Sequence, residues 1–115
     1  MPDSRKRKPR EYLTADDKSP YSDWITSLRD VRAKTKVTRA VHNMSEGNLG
    51  DHKGVGDGVK ERRVDYGPGY RIYFAEDGDE IILLLTGGTK SRQQKDIDQA
   101  KEYWADYKAR KDAGE

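Results

Sequence analysis

Three segments with strand-like composition follow one another in the second half of the chain, and very short links join them. The segments cover residues 59–66, 70–75 and 80–86. The links are Gly67-Pro68-Gly69 and Glu76-Asp77-Gly78-Asp79, and both contain residues that favour tight turns. Strands joined by links of this length can pair only in the antiparallel sense. The sequence therefore predicts an antiparallel meander at the centre of the fold.

Helical patterns lie on both sides of this meander. Behind a Ser19-Pro20 start signal, apolar residues recur at helical spacing, and a second stripe follows after a predicted turn at residues 33–35. These two stripes predict a helical hairpin, formed by Trp24, Ile25, Leu28 and Val31 and then by Val37, Ala40, Val41 and Met44. A third stripe comprises Ile97, Ala100, Trp104 and Tyr107, after a Ser91-Arg92-Gln93-Gln94 segment that fits a capping box.

The remaining segments predict a short first strand, a loop and two tails. The strand is expected at residues 11–14, and the glycine-rich residues 46–58 are expected to form a loop. Residues 1–10 form a basic disordered tail, residues 11–109 a single domain, and residues 110–115 a frayed tail in this interpretation. The predicted class is α+β, with a small antiparallel sheet in the order β-α-α-β-β-β-α.

Composition limits the classes of protein that fit. The 115 residues suit one domain, and 38% of them are charged, so the core must be thin. The chain has no cysteine, which excludes disulfides and thiolate metal sites. No apolar stretch is long enough for a signal peptide or a membrane span. We therefore expect a cytoplasmic protein with no membrane association.

Period-two alternation divides the predicted meander into two faces. Tyr70, Ile72 and Phe74 point to one face, which is the predicted core side. Arg71 and Tyr73 point to the other face, together with Arg63 of the preceding strand. Lys90 follows Gly87-Gly88 and is expected at the same end of the sheet. Arginine and lysine side chains grouped in this way suit the charge that develops on a phosphate during RNA cleavage, and Tyr73 could stack on a base or move a proton.

A simpler interpretation treats this face as the solvated side of an antiparallel sheet. Glu61 and Asp65 would then neutralise the arginines across the strands. Arg62 is expected on the core side beside Val64, with its head at the sheet edge. His42 is expected to pack in the second helix, and His52 to lie open in the glycine-rich loop. No metal-binding or serine-nucleophile motif is present, so no cofactor is expected.

Four motifs taken in order resemble a known family. They are Gly47-Asn48-Leu49-Gly50-Asp51, Val55-Gly56-Asp57-Gly58-Val59, Asp65-Tyr66-Gly67-Pro68-Gly69-Tyr70-Arg71-Ile72-Tyr73-Phe74 and Leu84-Leu85-Thr86-Gly87-Gly88-Thr89-Lys90. The ordered set resembles the addiction-module killer proteins, the HigB-like branch of the RelE/ParE toxin superfamily. The resemblance covers about residues 11–108 and implies the RelE-like fold.

The resemblance also implies a function. RelE-like toxins cleave messenger RNA in the ribosomal A site without a metal, through attack of the RNA 2′-hydroxyl on the adjacent phosphate, and a cognate antitoxin inhibits them. The carried-over residues are Arg63, Arg71 and Lys90. Tyr73 is added as a catalytic candidate, and the expected RNA-binding residues are Lys53, Lys60, Arg62, Arg92 and Lys95.

The chain departs from the family pattern at two positions. A tyrosine that some members carry at the start of the last helix has no match, because apolar Ile97 lies there. The general base is therefore open between Tyr73 and Lys95. Arg62 stands where a leucine is common in this branch. Two other functions stay open: a ParE-like inhibitor of DNA gyrase without nuclease activity, and a co-repressor that has lost its toxicity.

Overall fold

One five-stranded mixed sheet with helices on both faces forms the part of the chain that the computed structural model describes, residues 6–114. The strand order across the sheet is β1-β5-β4-β3-β2. β1 pairs parallel with β5, and the other neighbours are antiparallel. In chain order the elements are β1 (Lys8–Glu11), α1 (Pro20–Ser27), α2 (Val31–Ser45), β2 (His52–Gly56), β3 (Val59–Val64), β4 (Tyr70–Asp77), β5 (Ile81–Thr89), a 3₁₀ turn (Lys90–Arg92) and α3 (Gln93–Asp112).

The α+β class, the three-stranded meander and two successive helices on one face of the sheet are confirmed. β3, β4 and β5 correspond to the three predicted strands, with ends that differ by up to three residues. Ser19 caps α1, since its Oγ accepts a hydrogen bond from the backbone nitrogen of Ser22 at 3.0 Å, and Pro20 begins the helix. The predicted sheet was wrong in two respects, because it has an extra strand, β2, and a parallel edge strand.

The strand β2 was predicted as loop because its segment is rich in glycine. Asp57 and Gly58 both have positive φ, and they join β2 to β3 as a two-residue hairpin turn. A register shift between Gly54 and Gly56 lets the chain bend there. The glycines in this segment therefore belong to a β-hairpin, and the segment is not an irregular loop.

Both predicted tails also differ from the structure. β1 begins at Lys8 and not at residue 11, so part of the predicted disordered tail belongs to the sheet. Residues 1–5 lie outside the described residues. At the other end α3 continues to Asp112, where Arg110 bonds to Asp106 and Lys111 to Asp77, so residues 110–112 are helical and not frayed.

Two further local predictions were wrong. The turn between the first helices is not at residues 33–35, because Asp30 caps α2 by accepting from the backbone nitrogens of Arg32 and Ala33. The Ser91 capping box does not form, because a 3₁₀ turn occupies residues Lys90–Arg92 and α3 starts without a side-chain cap.

The core is divided into two layers by the sheet. On one side α1 and α2 pack on the β4 residues Tyr70, Ile72 and Phe74. On the other side α3 packs through Ile97 and Ala100 on a second group, Val59, Tyr73, Ala75, Leu83 and Leu85. The sheet is therefore buried on both faces, which explains the continuous run of buried residues in β4. Among residues 6–114, no helix combines the length and the apolar character that a membrane crossing requires.

Candidate functional site at the start of α3

The predicted grouping of Arg63, Arg71 and Tyr73 on one face is confirmed by the strand register. Arg63 lies opposite Arg71, and Glu61 lies opposite Tyr73, across β3 and β4. The expectation that this face is open was wrong, because α3 covers it. Arg71 is 8% exposed and Tyr73 is 0% exposed. The sheet alternation thus placed the residues correctly but could not show what covers them.

Glu61 connects the charged residues of this face. Its side chain is 0% exposed, and its Oε1 lies 3.3 Å from Arg63 Nε and 3.7 Å from Arg71 Nε. Gln93, the first residue of α3, donates from Nε2 to the other carboxylate oxygen at 2.7 Å. A buried carboxylate is tolerated only when charges and hydrogen bonds compensate it. We call Glu61, Arg63, Arg71 and Gln93 the Glu61 network.

Lys90 lies next to this network, beside Gly69, the residue that precedes β4. Its backbone nitrogen donates to Gly69 O at 2.8 Å. A Cβ added to Gly69 would lie 3.4 Å from Lys90 Cβ and 3.6 Å from Arg71 Nη1, so Lys90 and Arg71 approach each other across this glycine. Lys90 is exposed and the Arg63 side chain is 34% exposed. A ligand at the surface would therefore meet Lys90 and Arg63 first, with Arg71 beneath them.

Three of the predicted RNA-binding residues lie on the same side of the sheet. Arg92 precedes α3 and Lys95 lies in its first turn, and both are exposed. Lys53 of β2 pairs opposite Glu61 and is also exposed. Together with Arg63, Arg71 and Lys90 these residues define a surface that we call the cationic rim.

The other two predicted RNA-binding residues lie on the opposite face, away from the cationic rim. For Arg62 this is the predicted core side beside Val64, so its expected RNA-binding role does not fit this position. Lys60 and Arg62 alternate with Glu61 and Arg63 along β3, so they point toward the α2 side. Lys60 Nζ pairs with Glu76, which also binds Arg7. Arg62 lines a groove against α2.

Tyr73 does not fit the catalytic role expected for it. Its hydroxyl is buried without a hydrogen-bond partner among the described residues. Burial, together with the negative charges of Glu61 and Asp96, raises the pKa of Tyr73 well above its ordinary value, so the phenol stays protonated. A fully buried ring cannot stack on a base at the surface, and a protonated phenol cannot act as a base.

Asp96 is a site residue that the sequence did not reveal. A side chain on Gly88 would overlap its carboxylate, so the glycine makes room for Asp96 over β5. The third predicted strand segment ended at residue 86, but Gly87 and Gly88 also belong to β5. Asp96 Oδ2 is buried and has no hydrogen-bond partner in the part of the chain that the structure describes, and burial raises the pKa of Asp96 against the opposing effect of Arg92 and Lys95. Gln93 was also missed, since its partner Glu61 lies 32 residues earlier in the chain and the sequence gives no signal of such a contact.

Neither histidine is placed beside the rim. His52 pairs opposite Arg62, on the other face of the sheet, and its Nδ1 lies 2.8 Å from Gly50 O. His42 is on α2, where a partly exposed packing role was expected; its side chain is 68% exposed and its Nε2 lies 3.9 Å from Glu46 Oε1. Within residues 6–114, no three His, Asp or Glu side chains come together as a metal ion would require.

Comparison with known proteins identifies a related protein but no activity. No family model matches the chain. An uncharacterized protein from Haemophilus influenzae is 43% identical over 81 residues, which cover 70% of this chain and 82% of that protein. This chain belongs to the family of that protein. The relative has no stated activity, so the comparison assigns no function to this chain.

Proposed function

We propose that this chain is the toxin of a type II toxin-antitoxin pair and that it cleaves messenger RNA at the cationic rim. The observation that carries the proposal is that Lys90 and Arg71 approach each other across Gly69, while Arg63 lies opposite Arg71 and shares Glu61 with it. The ordered motifs shared with RelE-like toxins support the same reading. The expected partners are messenger RNA, the ribosome and a cognate antitoxin protein.

The proposed reaction requires no group other than the RNA and the protein. The RNA 2′-oxygen forms a bond to the adjacent phosphorus, and the bond from phosphorus to the 5′-oxygen breaks. The products are a 2′,3′-cyclic phosphate and a 5′-hydroxyl, and the proton of the 2′-hydroxyl must be accepted while another reaches the leaving oxygen. Lys90 and Arg63 would bind the non-bridging oxygens, where negative charge increases in the transition state.

The Glu61 network supports this role by holding the guanidinium groups in place. A carboxylate between two arginines fixes their orientation before a ligand arrives, which lowers the cost of ordering them later. Glu61 offsets part of their charge, but Lys90, Arg92 and Lys95 have no carboxylate within 4 Å among the described residues. The rim therefore keeps an excess of positive charge for an anionic ligand.

The proton acceptor is proposed to lie in the first turn of α3. Tyr73 is excluded by its burial, which leaves Lys95 from the sequence and Asp96 from the structure. Burial raises the pKa of Asp96, and a higher pKa makes a carboxylate a stronger proton acceptor. We expect Asp96→Asn to lower cleavage more than Lys95→Gln does if Asp96 is the acceptor.

Lys90→Gln is the decisive test, since Lys90 is exposed and forms no ion pair with any of the described residues. Arg71→Ala is less informative, because it would also deprive buried Glu61 of a counter-charge. Primer extension on cellular messages after a brief induction would be compared for wild type, Lys90→Gln and the exposed-lysine control Lys18→Gln. Loss of one donor to the transition state costs about 3 kcal/mol, or roughly a hundredfold in rate.

The outcomes separate the candidate functions. New cleavage ends with wild type and Lys18→Gln that are lost with Lys90→Gln, at equal protein levels, would support the proposal. Growth arrest with intact messages would favour inhibition of DNA gyrase. Cleavage that persists unchanged in Lys90→Gln and in Arg63→Gln would place the nuclease site elsewhere.

A further inference from the structure

Helix α2 differs in charge from the other two helices. It contains Arg32, Lys34, Lys36 and Arg39 and no acidic residue. In α3, by contrast, acidic and basic residues are equal in number, and α1 contains Asp23 and no basic residue. A helix with charges of one sign is destabilised by their mutual repulsion, which an anionic partner would relieve.

The α2 cations also lack internal partners. On the rest of the described chain, many basic side chains lie in ion pairs, such as Arg63 with Glu61 and Lys111 with Asp77. No carboxylate of the described residues lies within 4 Å of Arg32, Lys36 or Arg39. Lys36 Nζ instead lies 5.2 Å from the ring centroid of Tyr66. This surface therefore presents positive charge that the fold itself leaves unbalanced.

A groove of about 530 Å³ runs between α2 and β3, next to these cations. Val31, Ala40 and Val64 contribute apolar surface to it, and Arg32, Arg39 and Arg62 contribute guanidinium groups. Val31 is 73% exposed, so its side chain is accessible to a ligand in the groove. Asp65 is the acidic residue that lines the groove.

The Arg62 guanidinium group lines the groove, and its hydrogen-bonding capacity is only partly used. Its Nε is buried and has no acceptor among residues 6–114, and its Nη1 donates to Arg63 O. Burial lowers the pKa of Arg62, which Asp51 only partly opposes. A carboxylate brought into the groove would offer Arg62 the acceptor that it lacks.

We propose that this α2 groove binds an acidic, amphipathic segment of a partner protein. Aliphatic side chains of the segment would cover Val31, Ala40 and Val64, while its carboxylates bind Arg32, Arg39 and Arg62. A phosphate backbone would satisfy the cations but would leave the apolar surface and Val31 exposed, so the combination favours a protein segment over a nucleic acid. The groove lies on the face of the sheet opposite to the cationic rim, so the inference does not rest on RNA cleavage.

Peptide display on the purified full chain would test this inference without knowledge of the partner. Random 16-residue peptides would be selected on wild type and counter-selected on the Arg32→Glu/Arg39→Glu double variant. Both residues are exposed, so the double variant should fold. We expect enrichment of Asp and Glu together with Leu, Ile or Val. The best peptide should then lose about tenfold or more in affinity on the double variant.

Matched variants distinguish the groove from general charge attraction. Lys34→Glu changes the same charge on the same helix outside the groove, and it should alter the affinity by less than about twofold. Val31→Thr, nearly equal in shape, should weaken a peptide that uses the apolar surface. Equal losses with Lys34→Glu, or selected peptides without acidic residues, would overturn the proposal. Displacement of the peptide by a 20-nucleotide RNA at lower concentration would assign the groove to nucleic acid instead.

Discussion

Replacing Glu61 by Gln should destabilise the protein strongly although the two side chains have nearly the same shape. The change removes the negative charge that both Arg63 and Arg71 face at 3.3 and 3.7 Å. Loss of one partner from a buried ion pair costs about 3–5 kcal/mol. The Arg63 side chain is 34% exposed, so water compensates part of this loss, and we expect a decrease of about 2–3 kcal/mol in the free energy of unfolding.

Urea denaturation followed by tryptophan fluorescence would measure this effect. Trp24 packs with the α1 and α2 side of the sheet and Trp104 with the α3 side, so both layers are observed in one experiment. For a chain of this size, the loss corresponds to a fall in Tm of about 10 °C. The control is Glu80→Gln, the same substitution at an exposed residue, which should change stability by less than about 0.5 kcal/mol.

A double-mutant cycle with Arg71→Met tests the cause. If Glu61 and Arg71 compensate each other, the double variant should lose less stability than the sum of the two single changes, by about 1–3 kcal/mol. Additive losses, or a Glu61→Gln variant as stable as the wild type, would refute the reasoning that Glu61 neutralises a buried guanidinium.

Three further changes have expected outcomes. Tyr73→Phe removes a buried hydroxyl without a partner, so the variant should be as stable as wild type or up to about 1 kcal/mol more stable by urea denaturation. Gly87→Ala should cost about 1–3 kcal/mol, since its methyl group would overlap the Trp24 ring. The hydrogen bond from Lys111 lowers the pKa of Asp77 in the folded protein. The stabilisation from this bond is therefore complete above the unfolded pKa of about 4, and it disappears as the pH falls through the lower folded pKa.

Each of these predictions has its own control. Gly54→Ala adds the same methyl group where no atom lies within 4 Å, and it should not destabilise the protein. For Asp77, the stability difference between wild type and Asp77→Asn should be constant above about pH 5 and shrink below about pH 4. A constant difference down to pH 2 would contradict the assignment, as would a loss of more than about 1 kcal/mol in Tyr73→Phe.

Local sequence signals were sufficient where one segment determines its own conformation. The Ser19-Pro20 start of α1 depends only on a side-chain oxygen and a fixed φ, and both are present in the structure. The same holds for β3, β4 and β5, whose short links leave only antiparallel pairing. The hairpin turn at Asp57-Gly58 was equally local, but the surrounding glycines concealed it.

Contacts between distant segments were not accessible in this way. β1 contributes only exposed side chains, and its place in the sheet depends on backbone hydrogen bonds to β5, about seventy residues later. Gly87 and Gly88 were left outside the third predicted strand, because nothing in their own sequence shows that Trp24 and Asp96 occupy the space above them.

The sequence by itself determined the two faces of the meander, because side chains alternate along a strand whatever surrounds it. That rule placed Arg63, Arg71 and Tyr73 together and sent Arg62 to the other side. Only the tertiary structure decided that α3 covers the first face, so that Arg71 and Tyr73 are buried and Glu61 becomes the centre of a charged network. The physical reason is that alternation fixes the direction of a side chain, whereas its exposure depends on which distant helix can bury apolar surface against it.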